Sequence, residues 1–111
     1  AEWVLFTNSN DGEVEVFIDP KSVKPNSNYP ELIRVWTLLN LKRKGTYGEM
    51  SVSGYEEHDC REGRYRVLDV SFFSGAMGAG KIIKSAHGAG DWVFIRPDSM
   101  SSDTHKWLCT K

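Results

Sequence analysis

With 40% hydrophobic and 26% charged residues in 111, the chain has room for one real core but not two, and it reads as one domain over 1–111. A net charge of −1 removes any global reason to expect a nucleic-acid partner, and no apolar run approaches the length that spans a membrane. Two cysteines, Cys60 and Cys109, are an even count that fits one disulfide in an oxidising compartment, although they could equally be free thiols.

The chain begins "AEWVLF" without Met, as expected of a trimmed chain or, the reading the cysteines favour, of one from which a signal peptide has been cut at a small residue. "EWVLFT" and "EVEVFI" flank "NSNDGE", in which Asp11-Gly12 supplies positive φ cheaply, and the two runs predict a hairpin. "IDPKSVKPNSNYP" is a connection, with Pro20 placed to start one helical turn at "PKSV". Then come "ELIRVWTLLNLK", "YGEMSVSGYEEHDC" and "RYRVLDVSFFS", three long runs rich in β-branched and aromatic residues. The short loops "RKGT" and "REG" between them predict antiparallel neighbours. "KIIKS" and "DWVFI" are shorter strand candidates.

Only the end changes period. Met100, Thr104, Trp107 and Leu108 fall at i, i+4, i+7 and i+8, the stripe of an amphipathic helix, with Asp98, Ser99 or Ser101 as N-cap. The expected fold class is α+β, mainly β: a single antiparallel sheet of about six strands with a C-terminal helix packed on one face.

Alternation assigns the faces. Met50, Val52, Gly54, His58 and Cys60 point one way, and Ser51, Ser53, Tyr55, Glu57 and Asp59 the other. The first set suits the helix, with Gly54 allowing close approach and Cys60 near Cys109. In "ELIRVWTLLNLK", Ile33, Val35, Leu39 and Leu41 oppose Leu32, Trp36 and Leu38, so both faces are apolar. One helix cannot cover both. The face carrying Leu32, Trp36 and Leu38 is expected to bind a partner or a second copy, or to be covered by sheet curvature. Lys42, Arg43 and Lys44 form a basic strand end or loop tip, either solvated or a contact for an acidic partner.

These residues together resemble a known family. The Trp-bearing first strand, "VFIDPKSV", "RVWTL", "EHDCR", "FFSGAMGAG" and "DWVFIRPDSM" leading to "WLC" are similar, in order, to the surface-adhesin protein E-like family of Gram-negative bacteria. The resemblance implies a six-stranded antiparallel sheet whose concave face carries the C-terminal helix, linked to it by a disulfide at Cys60 and Cys109. It also implies an extracytoplasmic location (periplasm, outer-membrane surface or secreted), and adhesion to host matrix and plasma proteins, with haem binding known in the family.

Three rival motifs need weighing. Gly75, Gly80 and Lys81 match the spacing of a P-loop, but Ile82 stands where a Mg²⁺-binding hydroxyl belongs and "KIIKSAHGAG" is too short and Gly-broken for the required helix. The expectation is a turn and no nucleotide. His58 and Cys60 on one strand face, with His105 and Cys109 at i and i+4, could make a Cys₂His₂ zinc set, but an oxidising compartment favours the disulfide and no metal. "EEHD" at 56–59 crowds carboxylates around a histidine and reads as a charged strand end, and His87 as solvated.

The predicted function is non-enzymatic binding, by protein–protein contact or adhesion at the cell envelope, with no cofactor. The alternative is a periplasmic carrier of a small, haem-like ligand, or an envelope enzyme, using the helix-free face as a pocket.

Overall fold

A computed structural model describes residues 2–9 and 11–110, so Ala1 lies outside the described residues. Six strands run antiparallel across the sheet in the order β1 (Val4–Asn8), β2 (Val14–Ile18), β4 (Leu32–Leu41), β5 (Ser51–Asp59), β6 (Arg64–Phe73) and β7 (Ile82–His87). Two short strands pair beside them: β3 (Lys24–Pro25) on β4 and β8 (Val93–Phe94) on β6. The mainly-β expectation with one terminal helix is therefore met. No helix among the described residues is long and apolar enough to cross a membrane.

Local chemistry explains most boundaries. Gly12 takes φ +72 in the first turn, where its N–H donates to the Ser9 carbonyl at 2.9 Å. Asp19 caps the Pro20–Ser22 turn by accepting from the Lys21 N–H. The β4–β5 connection is longer than "RKGT" suggests, because Glu49 folds back and its carboxylate accepts from the Tyr47 N–H at 2.9 Å. The helix α1 (Met100–Cys109) starts at Ser99, whose hydroxyl accepts from the Ser102 N–H at 3.1 Å. Its Thr104 and Leu108 are buried, and Trp107 packs edge-on against Phe6 with centroids 5.8 Å apart.

The sheet faces follow the expected alternation through β4 and β5. Val35, Thr37 and Leu39 lie opposite Glu56, Gly54 and Val52, while Trp36 pairs with Tyr55 and Leu38 with Ser53. In β6 a bulge intervenes: Tyr55 pairs with Asp69 and Glu56 with Val67, leaving Leu68 without a partner on β5. The extra residue keeps Val67 and Val70 on the same side despite their odd spacing. Val16, Ile18, Val35, Leu38 and Leu108 form the fully buried apolar core.

Candidate functional site

The helix-free face carries a strip of aromatic and arginine side chains held by pairing across three strands. Trp36 and Tyr55 stack with centroids 4.7 Å apart and planes at 21°. One pair further along, Arg34, Glu57 and Arg66 stand in register on β4, β5 and β6. Arg34 Nε donates to Glu57 Oε2 at 2.8 Å, and Arg66 donates to Oε1 from Nε at 2.9 Å and Nη2 at 2.6 Å. The Glu57 side chain is 0% exposed, whereas those of Arg34 and Arg66 are 37% and 26% exposed. Burial pushes the Glu57 carboxyl up, but the hydrogen bonds from the two arginines outweigh this and hold it below the usual range.

The strip continues to the edge of the sheet. Arg64 and Arg66 both stack on the Trp92 ring, at 4.5 and 4.4 Å from its centroid. Asp59 is nearly enclosed: Oδ1 accepts from the Arg61 and Glu62 N–H groups, and Oδ2 from Arg64 Nε at 3.1 Å. Burial raises its carboxyl and these hydrogen bonds lower it further, so the net shift is downward. The "EEHD" segment is the charged strand end expected, but most of it is enclosed. Glu57, His58 and Asp59 are all buried, because partners wait for each on the neighbouring elements.

The residues predicted to bind are not all brought together. Trp36 is half-buried at the centre of the strip, and half-buried Leu32 lines a groove with Tyr29, Arg64 and Trp92. Leu38 is 0% exposed and unavailable. The glycine-rich turn folds over it: Met77 N–H donates to Asn40 Oδ1 and Gly78 N–H to Ser51 Oγ, both at 2.9 Å. Lys42, Arg43 and Lys44 are exposed beyond the far end of β4, roughly 30 Å of strand from Leu32. Arg43 faces Glu13 at 3.6 Å. Lys81 leads into the edge strand β7 rather than a long helix, so the P-loop spacing belongs to a connection with one 3₁₀ turn at Ala76–Gly78.

The opposite face carries the helix. The bridge forms between Cys60 and Cys109, with Cα atoms 5.6 Å apart. Beside it runs a chain of side chains. His58, itself 0% exposed, contacts Glu56 Oε1 through Nε2 at 2.8 Å and His105 Nδ1 through Nδ1 at 3.0 Å. His105 Nε2 lies 3.6 Å from Cys109 Sγ. A carboxylate only accepts, so His58 Nε2 donates to Glu56, and of the two facing Nδ1 atoms of His58 and His105 one donates to the other. Burial, then the charge of His58, hold the His105 pKa below the ordinary histidine value. His87 is exposed but paired with Asp69, not free.

Contrary to the close approach expected at Gly54, the helix does not come up against it. A Cβ there would meet Thr37 Oγ1 at 3.5 Å and the Asp69 carbonyl at 3.8 Å, and no helix atom. It floors instead a cavity of about 230 Å³ between sheet and helix, lined by Val16, Leu39, Val52, Val70 and Met100 with Glu56.

A profile of the Surface-adhesin protein E family matches residues 3–110. The chain belongs to that family. Its fold is shared with solved structures of Haemophilus influenzae protein E. One aligns with TM-score 0.72 at 16% identity, covering 97% of this chain and 83% of the other. A second crystal form gives TM-score 0.72 at 14% identity over 99% and 97%, and protein E from a non-typeable strain 0.64 at 18% over 99% and 85%. No curated protein matches the chain by sequence. At these identities the likeness speaks for the fold, while the family membership speaks for a surface-adhesin domain.

Proposed function

We propose that this chain is an extracytoplasmic adhesin domain that grips a protein partner with its helix-free face, at the Trp36–Tyr55 stack and the arginines beside it. The observation that carries the reading is composition held in fixed geometry. Trp, Tyr and Arg are the residues that dominate protein interfaces energetically, and here Trp36, Tyr55, Arg34, Arg66 and Arg64 form one strip on paired strands, with Trp92 stacked on it from a loop. The buried Glu57 fixes both arginines, so little side-chain freedom remains to be lost on binding. Glu57 and Asp59 are each engaged by arginine and, for Asp59, by backbone donors as well, which supports binding over acid–base catalysis on this face.

The test uses immobilised extracellular-matrix and plasma proteins as a panel. Trp36→Ser and Tyr55→Ala should weaken capture of any bound protein by about 30-fold or more, the effect of losing an interface anchor of roughly 2 kcal/mol. Lys44→Ala, at the far end of β4, should leave it within about twofold. Sedimentation of the free chain shows whether the partner is a second copy. If Trp36→Ser lowers the melting temperature while capture and sedimentation stay unchanged, Trp36 serves the core and the reading fails.

A further inference from the structure

The cavity between the sheet and the first turn of α1 lies on the opposite face from the aromatic strip, and the proposed adhesive contact makes no use of it. Its floor is built from successive cross-strand neighbours: Leu39 beside Val52, Thr37 beside Gly54 and Val70, and Glu56 beside Val67. Met100 and Thr104 of α1 line its other side. Gly54 sits in the body of β5 without the positive φ that glycine alone takes easily. A Cβ there would stand 3.5 Å from Thr37 Oγ1 and 3.8 Å from the Asp69 carbonyl, which are ordinary contacts. Neither the backbone nor the neighbours therefore require glycine at this position. What glycine leaves here is room above the floor.

The walls have a definite chemistry. Leu39, Val52 and Val70 are only half-buried, so apolar surface remains to be covered. Glu56 is the one charged side chain among the described residues that line the space, and it is 20% exposed. Its Oε1 accepts from His58 Nε2 at 2.8 Å and its Oε2 from the Thr37 hydroxyl at 3.1 Å. A carboxylate can accept about four hydrogen bonds, so half of that capacity is left. The two buried hydroxyls have spent their protons, Thr37 on Glu56 and Thr104 on the Met100 carbonyl at 3.3 Å. The cavity thus offers apolar contact together with acceptors, and its complement is an apolar body with a cationic, donating head. Size narrows the class. An apolar cavity of about 150 Å³ holds benzene, so one of about 230 Å³ holds about nine non-hydrogen atoms. That is smaller than a drug-sized site and far too small for a tetrapyrrole.

We infer that this cavity binds a small primary amine in its ammonium form, with an aryl or alkyl body of about eight carbons. The ammonium donates to Glu56, and the body covers Leu39, Val52 and Val70. An ammonium has three N–H donors, enough to use both remaining acceptor positions of the carboxylate.

The probe is 2-phenylethylamine, which has this size. Titrated calorimetrically into the bridged chain, it should bind once per chain, with amide shifts centred on Gly54, Glu56 and the first turn of α1. Its neutral isostere 2-phenylethanol should bind at least about tenfold more weakly, because the charge-assisted hydrogen bonds are lost. The anion 3-phenylpropionate should not bind. Glu56→Gln should weaken the amine at least about tenfold and bring it close to the alcohol. Gly54→Val fills the floor and should abolish binding of both without lowering the melting temperature, since valine suits a strand better than glycine does. That variant decides the matter if Glu56→Gln does not fold. No saturable binding of the amine at millimolar concentration overturns the proposal. So does equal affinity for amine, alcohol and acid, or amine binding that survives unchanged in folded Gly54→Val.

Discussion

Replacing Glu57 by Gln removes one charge and almost no volume from the most enclosed ionic contact of the sheet. The carboxylate takes three hydrogen bonds, one from Arg34 and two from Arg66, with its own side chain 0% exposed. An amide can accept at one oxygen, but it turns an N–H₂ group toward the other arginine. Breaking a fully buried pair costs about 3–5 kcal/mol, and breaking an exposed one at most about 1 kcal/mol. Both arginines are about a third exposed and regain water, so the cost should fall between, at roughly 2–3 kcal/mol. For a domain of this size that lowers the melting temperature by about 10 °C. The pH dependence gives an independent check. The folded-state pKa of Glu57 is depressed, so its contribution is fully present above the unfolded value of about 4.3 and is lost as pH falls through the lower folded value. Urea unfolding from pH 7 down to about 3 should show the variant losing less stability than the parent over the acid limb. A variant within about 0.5 kcal/mol of the parent at neutral pH, with an unchanged acid limb, would refute the reasoning.

Reducing the Cys60–Cys109 bridge, which spans 49 positions of sequence, should cost up to about 4 kcal/mol by chain entropy, and amide exchange should rise in α1 well before the central strands. Intact mass of the unreduced chain should be lower by two hydrogens than that of the reduced one. Gly80→Ala should destabilise by more than 1 kcal/mol, roughly, in thermal melts, because φ is +83 and the new Cβ would stand 2.3 Å from Ser74 Oγ. Equal stability would mean that the turn rearranges freely. Isothermal titration with Mg²⁺ and ATP or GTP should show no saturable binding at millimolar nucleotide, and Lys81→Ala should leave the melting temperature within about 2 °C.

The sequence made legible whatever depends on local period or turn chemistry. Val35 and Leu39 against Trp36 and Leu38, the helical stripe ending at Leu108, the turn begun by Pro20 and the cap at Ser99 all follow from residues a few positions apart. What it hid depends on register between distant strands. Arg34, Glu57 and Arg66 become a triad only once three strands are aligned, and "EEHD" alone gives no sign that an arginine waits on either side. Leu38 sits on the face where alternation puts it, yet a turn nearly forty residues later buries it through contacts with Asn40 and Ser51. The bulge at Leu68 has no signature of its own, since nothing in "RYRVLDVSFF" marks which residue will lack a partner.

The position of the bridge also decides how the domain would bear a pull, as an adhesin under flow must. Tension applied between the first strand and the last residues of α1 passes through β1, β2, β4 and β5 to Cys60, then crosses directly to Cys109. The chain between the two cysteines, which includes β6, β7, β8 and most of α1, is bypassed. Those 49 steps would otherwise release about 170 Å of slack as they straightened. While the bridge is closed, β6 with Arg64, Arg66 and the loop holding Trp92 stays off the load-bearing path. Opening it would add that length to the tether and draw half of the proposed gripping strip into the extending chain.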